Sequence, residues 1–211
     1  MKKLVSSLLL LILFSSNLFS QTTVKVDFMR NSWLAINGTS NILSFKLTHS
    51  GEKLLGKSIT TNVIQKHNKI FLSKNKLSIE VKNFKSDNRM ALRDFLKLIK
   101  SDSFPTLDVQ LNYIETVQGV ETDKYSKGNA SIDISITGVT KQYQIPVNSS
   151  KHGEYISVAG AKKINIRDFG LVPPVEMLGL IKVSEWITIN YHMVCKLTFA
   201  KDPQILITQK L

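Results

Sequence analysis

The sequence predicts an all-β protein, an antiparallel up-and-down barrel of about eight strands with one short helical insertion. Three observations lead there. Apolar and polar residues alternate with period two through most of the chain, which sets one side chain inward and the next outward on a half-buried strand. Turn signals built on glycine punctuate those stretches, as in a meander. One segment alone switches to a helical period.

Taken in order, Val24, Val26 and Phe28 alternate with Lys25 and Asp27, and Leu34 and Ile36 repeat the pattern before Gly38. Leu77, Ile79 and Val81 do so around Ser78 and Glu80, and Val109, Leu111 and Tyr113 follow. The clearest run is Ile132, Ile134 and Ile136, separated by Asp133 and Ser135. Late in the chain Ile187, Ile189, Tyr191 and Met193 alternate with Thr188, Asn190 and His192. Gln118-Gly119, Lys127-Gly128-Asn129, Gly138 and His152-Gly153 supply the expected turns.

The exception runs from Asn88 to Lys100. There Leu92, Phe95, Leu96 and Ile99 fall at i, i+3, i+4 and i+7, while Arg89, Arg93 and Lys97 share another face. Ser86 or Asp87 is placed to cap its start, and Pro105 stops it from continuing. Closing the strands into a barrel buries them without leaving open hydrogen-bonding edges. Such a barrel either fills its interior with side chains or keeps room for one apolar ligand, and periodicity does not separate the two.

Composition narrows the class further. With 43% hydrophobic residues, 5 Pro and 1 Cys in 211 residues, the chain is neither disordered, collagenous nor a disulfide scaffold. No linker or charge block divides it, so one domain is expected over residues 21–211. Ahead of it, Lys2 and Lys3, the apolar run Leu4 to Phe14 and the polar stretch Ser15 to Ser20 follow the order of a secretory signal peptide, with cleavage expected after Ser20. The lone Cys195 then reads as a buried thiol.

Without Lys2 and Lys3 the chain keeps 26 basic against 16 acidic residues, a net charge of +10. The excess is dispersed lysine; only Arg30, Arg89, Arg93 and Arg167 offer the bidentate chemistry of specific nucleic-acid contacts, so no nucleic-acid partner is expected. A solvated Lys-rich surface and attraction to anionic lipid head groups both fit. His49, His67, His152 and His192 lack metal-site spacing, one Cys does not make a zinc cluster, and no nucleophile elbow or P-loop occurs. The expectation is therefore no enzyme, no metal and no cofactor.

Ser32-Trp33-Leu34-Ala35-Ile36-Asn37-Gly38-Thr39-Ser40-Asn41 resembles the opening strand and turn of the YceI-like family. Met90-Ala91-Leu92 with Phe104-Pro105 resembles that family's helix and the strand that follows. Gly128 through Gly138-Val139-Thr140-Lys141 resembles its hairpin. Asp168-Phe169-Gly170, Pro173-Pro174 and Gly179-Leu180-Ile181-Lys182-Val183 resemble its last loop and strand. Order and spacing agree over roughly residues 30 to 195. The departures are Leu43 and Phe45, where related proteins often carry His and Trp.

The resemblance implies an extended, lipocalin-like barrel, periplasmic or secreted, whose interior tunnel binds a long polyisoprenoid or related amphiphilic lipid without catalysis. A tunnel needs an apolar lining larger than the core fills, with a few polar groups at one mouth. Alternation nominates Phe45, Leu47, Ile132, Ile134 and Ile136 from the strands. Phe84 precedes the helix, Leu92, Phe95 and Leu96 come from it, and Phe169 and Met177 lie in the last loop. Any one of these also suits a filled core; the expectation rests on the set. The basic helix face either lies near a protruding phosphate or is simply solvated. Transient contact with a membrane surface and a homodimer are compatible with the sequence. The rival expectation is a filled barrel whose basic exterior meets an anionic partner in an interaction or stress-protection role.

Overall fold

The structure is a computed structural model that describes residues 21–73, 75–116, 125–176 and 180–200. The expected signal segment, the Gln118-Gly119 turn, Met177 and residues 201–211 lie outside the described residues. In chain order the strands are β1 (Gln21–Phe28), β2 (Trp33–Thr39), β3 (Ser44–Ser50), β4 (Ser58–Lys66), β5 (Lys69–Ser73), β6 (Leu77–Glu80) and β7 (Phe84–Lys85). Helix α1 (Arg89–Leu98) follows. After it come β8 (Thr106–Thr116), β9 (Tyr125–Ile136), β10 (Val139–His152), β11 (Tyr155–Asn165), β12 (Val175–Glu176), β13 (Ile181–Lys182) and β14 (Trp186–Phe199).

Strands β1, β4, β5, β8, β9, β10, β11 and β14 pair in that order, and β14 returns to β1, so the sheet closes into a ring of antiparallel neighbours. Chain order and ring order agree, which is the expected meander. The excursions are the β2–β3 hairpin between β1 and β4, the β6–β7 segment with α1, and the small β12–β13 hairpin.

The barrel is extended because its seam strand is long. The far half of β14 pairs with β1, from Phe28↔Cys195 to Val24↔Phe199, and its near half pairs with β2, from Thr188↔Asn37 to His192↔Trp33. The bend between β1 and β2 is pinned by buried Ser32, whose hydroxyl accepts the Val194 N–H at 3.0 Å and donates to the Val194 carbonyl at 3.2 Å. Across the barrel β8 behaves alike, pairing with β5 from Tyr113 to Glu115 and with β6 from Thr106 to Val109. Buried Asn75 fills the gap between those partners, donating to the Leu111 carbonyl at 2.7 Å and accepting the Leu111 N–H at 2.8 Å.

Four local expectations are corrected. A β-bulge lies between Leu111 and Tyr113. It inverts the faces of β8, so Tyr113 points outward to stack on Phe71 and accept from Gln144, and Ile114 takes the inward place. Lys127-Gly128-Asn129 is part of β9 and not a turn; a Cβ on Gly128 would strike the Glu115 carbonyl oxygen, so the glycine serves close strand approach. Val81 begins a 3-10 turn, Val81–Asn83, instead of extending β6. The α1 cap is Asn88, whose Oδ1 accepts the Ala91 N–H at 3.0 Å; Ser86 instead accepts the Asn88 N–H.

The two remaining turns follow the expectation. Thr137 and Gly138 both have positive φ (49° and 82°) between the paired residues Ile136 and Val139, as a two-residue hairpin turn requires. Gly153 supplies φ 61° between β10 and β11.

Candidate functional site

Inward alternation around the ring encloses a cavity of about 790 Å³. This falls within the roughly 300–1,000 Å³ usual for ligand pockets, so the interior is not filled by side chains. The cavity runs the length of the barrel. At one end it touches Met90 and Phe95 of α1, Leu43, Pro174 and Ile181; at the other it reaches Val63, Ile70, Thr116, Ser126, Ser149 and Phe199.

The wall is apolar, and the polar atoms set in it are occupied. Thr61 donates its hydroxyl to the Ser73 carbonyl, and Asn75 is spent on Leu111. Tyr191 crosses above Gly160 of β11 and donates to the Pro146 carbonyl of β10 at 2.6 Å. Gly160 is needed there because a Cβ would collide with both the Tyr191 hydroxyl and that carbonyl oxygen. Burial pushes the Tyr191 hydroxyl's pKa up to about 12, so it stays a neutral donor.

Polar side chains join the lining at both ends, Thr116, Ser126 and Ser149 at one and Ser40, Ser184, Asn88 and Asp94 at the α1 end, where each of the four is hydrogen-bonded. Arg93 holds Asp94 through Nε at 3.0 Å and Nη2 at 2.9 Å. Asp94 is the charged residue among the described lining residues. An apolar tunnel whose charged lining group sits at the α1 end orders an amphiphile with its polar end there; among the described lining residues no nucleophile stands beside a base.

Of the residues nominated by alternation, Phe45, Leu47, Phe95, Ile132, Ile134 and Ile136 line the cavity. Phe84 and Phe169 are fully buried one layer out, Phe84 edge-on to Phe95 and to His49, and Phe169 against Tyr143. Leu92 and Leu96 pack on the core beside the cavity but do not line it. Around the helix the cavity is bordered by Met90, Ala91, Asp94, Phe95, Leu98 and Ile99, so Phe95 and Ile99 of the expected stripe reach it and Ala91 and Leu98 join them. Met177 lies outside the described residues. Alternation on β2 and on the ring strands was the signal for the missed wall, including Leu34, Ile59, Val109, Val147, Val158 and Ile189. His49 is buried but is not a lining residue.

Among the described residues no group of three or more His, Cys, Asp or Glu is placed to hold a metal ion, and no helix is long and apolar enough to cross a membrane. No curated protein matches the chain. A solved polyisoprenoid-binding domain from Saccharophagus degradans shares the fold, with TM-score 0.56 at 10% identity, covering 83% of this chain and 98% of that one. Burkholderia cenocepacia BcnA (TM-score 0.46, 13% identity, 82% and 95% covered) and the Campylobacter jejuni YCEI protein (0.46, 16%, 62% and 74%) lie further off. The YceI-like domain family, whose model matches residues 20–195 from the edge of β1 to Cys195 on the seam strand, is the family to which this chain belongs.

Proposed function

We propose that this protein is an exported lipid-binding barrel that holds a polyisoprenoid or similar long-chain amphiphile, with the tail along the cavity and the polar end at the α1 mouth. The carrying observation is the apolar cavity of about 790 Å³ running the length of the barrel. Family membership and the polyisoprenoid-binding description of a protein with the same fold support the reading. The lysine-rich residues and apolar run at the N-terminus support export.

Binding of this kind draws on the hydrophobic effect alone. At about 0.8 kcal/mol per buried CH₂ against an association cost of about 4–15 kcal/mol, roughly five to twenty buried methylene groups offset the cost. No directional chemistry is needed along the wall, and the lining provides none. The protein acts as a holder of its ligand and not as a catalyst.

Native isolation followed by mass spectrometry of an organic extract, against an empty-vector control, identifies the cargo. Ile134 faces the cavity and Asp133, next to it on β9, does not. Ile134→Lys is expected to abolish loading while Asp133→Lys retains it, in variants whose circular dichroism stays that of the folded barrel. Equal loading in both would sink the tunnel assignment.

A further inference from the structure

The α1 mouth carries an apolar rim that the barrel does not need for its own core. The β2–β3 turn puts Ile42 and Leu43 in solvent, the last loop does so with Val172, Val175 and Leu180, and α1 adds Met90. Ile42, Val172 and Leu180 are 62%, 67% and 72% exposed. Single exposed apolar residues are ordinary, but a contiguous set bordering an apolar cavity is not.

These tips form one edge. Asn41 donates from Nδ2 to the Leu180 carbonyl at 2.9 Å, accepts the Lys182 N–H at 2.9 Å, and gives its own N–H to the Lys182 carbonyl at 3.2 Å. Ser40 bridges Val183, and the Val183 N–H reaches the Pro174 carbonyl. Leu43, Met90, Pro174 and Ile181 all border the cavity opening.

Behind the edge lies Trp186 with a lysine over its ring, and a second lysine–tryptophan pair stands further along β2. Lys163 Nζ lies 5.2 Å from the centroid of exposed Trp186, and Lys46 Nζ lies 6.0 Å from that of Trp33. Lys46, Lys163, Trp186 and Ser184 share a surface recess with Phe45, and Phe45 and Ser184 also line the cavity, so recess and mouth adjoin. Lys46, Lys163, Lys182 and Arg89 make no ion pair with any described residue. The acids nearby are engaged: Asp94 by Arg93, Glu185 by Arg167 and Asp168 by Tyr143. Asp87, at this end, has no partner among the described residues.

Apolar tips ahead of tryptophan and lysine follow the depth profile of a membrane interface, apolar groups among acyl chains and amphipathic and cationic groups at the head-group level. We propose that the α1 mouth docks on an anionic lipid surface, with Ile42, Val175 and Leu180 entering the bilayer face and Lys46, Lys163 and Lys182 meeting the phosphates. The cavity would then open onto the bilayer, and an amphiphile would pass between the two without crossing water. This rests on the lipid-holding reading above for its purpose, though docking is measurable without it.

The test uses the purified full chain and sedimentation with vesicles of phosphatidylcholine alone or mixed with phosphatidylglycerol. Binding is expected to the mixed vesicles, weakening as salt rises. Lys163→Gln with Lys182→Gln should weaken it on the order of tenfold or more, at about one lysine's worth of attraction each. Ile42→Ser with Leu180→Ser should lose it with the melting temperature unchanged. The same Ser variant should still load a detergent-dispersed prenyl alcohol, whereas Ile134→Lys should fail to load yet still sediment. Failure of the wild type to load the prenyl alcohol, with its vesicle binding intact, would overturn the lipid-holding reading alone. No association with either vesicle, or equal association by the wild type and the Ser variant, overturns the docking proposal, and capture of a protein at the rim without vesicle binding does the same.

Discussion

His49 is enclosed on β3 with the Phe84 ring edge-on at 5.3 Å. Burial, and then the nearby Lys57 cation, hold its pKa below the usual 6.5. A histidine kept neutral in the folded state resists the proton that the unfolded chain accepts, so stability is full above pH 6.5 and falls as pH drops through that value toward the folded pKa. Denaturant titrations should show ΔG declining by at most about 1.4 kcal/mol per pH unit from this group, a slope that His49→Leu should flatten. An unchanged slope in the variant would assign the acid sensitivity elsewhere. Cys195 makes a second case, because burial raises its thiol to about 11. At pH 8 roughly one thiol in a thousand is then ionised, so a thiol reagent should label the native protein slowly and the guanidinium-unfolded protein at once. Rapid native labelling would mean that the cavity wall at β14 opens.

Helix α1 shows what local sequence does and does not specify. Its existence and core-facing stripe were legible, since Leu92, Phe95, Leu96 and Ile99 all pack on the core, but the cap was not, because Ser86, Asp87 and Asn88 are equally good capping residues, nor was the tilt that adds Ala91 and Leu98 to the cavity wall. Tertiary packing chose Asn88 and brought Ala91 and Leu98 into the wall beside Phe95 and Ile99. Asn88→Ala should therefore cost about 1 kcal/mol, a fall of about 2–4 °C in melting temperature at this chain size. At the other end Lys100 adopts φ 50°, a left-handed conformation without the freedom of glycine. Lys100→Gly should raise stability by about 0.5–1 kcal/mol, the opposite sign to the cap variant, by the same thermal melt. Strands taught a similar lesson. Alternation named the inward face wherever pairing was regular, and failed at Tyr113 because a bulge, invisible in apolar pattern, exchanges the faces of β8.

At the scale of the whole barrel, alternation identifies the direction of each side chain but not the distance across the ring, which depends on strand number and stagger. Ile132, Ile134 and Ile136 would look the same in a filled barrel, so the cavity became visible only once the ring was closed by β14. Its volume can be tested by adding atoms. Ala130 faces the cavity, whereas Val81 is fully buried away from it. In a close-packed core extra methylene groups force strain of about 1–3 kcal/mol, so Val81→Phe should destabilise by that amount. Ala130→Phe places its ring in open space and should be neutral or mildly stabilising through the apolar area it buries. The two variants should also differ from wild type toward ligand. A prenyl alcohol at one hundred times its Kd adds about 2.7 kcal/mol to the folded state, a rise of about 5–10 °C in melting temperature. Ala130→Phe should shrink that rise by occupying the ligand's space, while Val81→Phe, starting lower, should keep it. If Ala130→Phe destabilised as much as Val81→Phe, the interior would be packed, and neither a tunnel nor a bound tail would fit inside it.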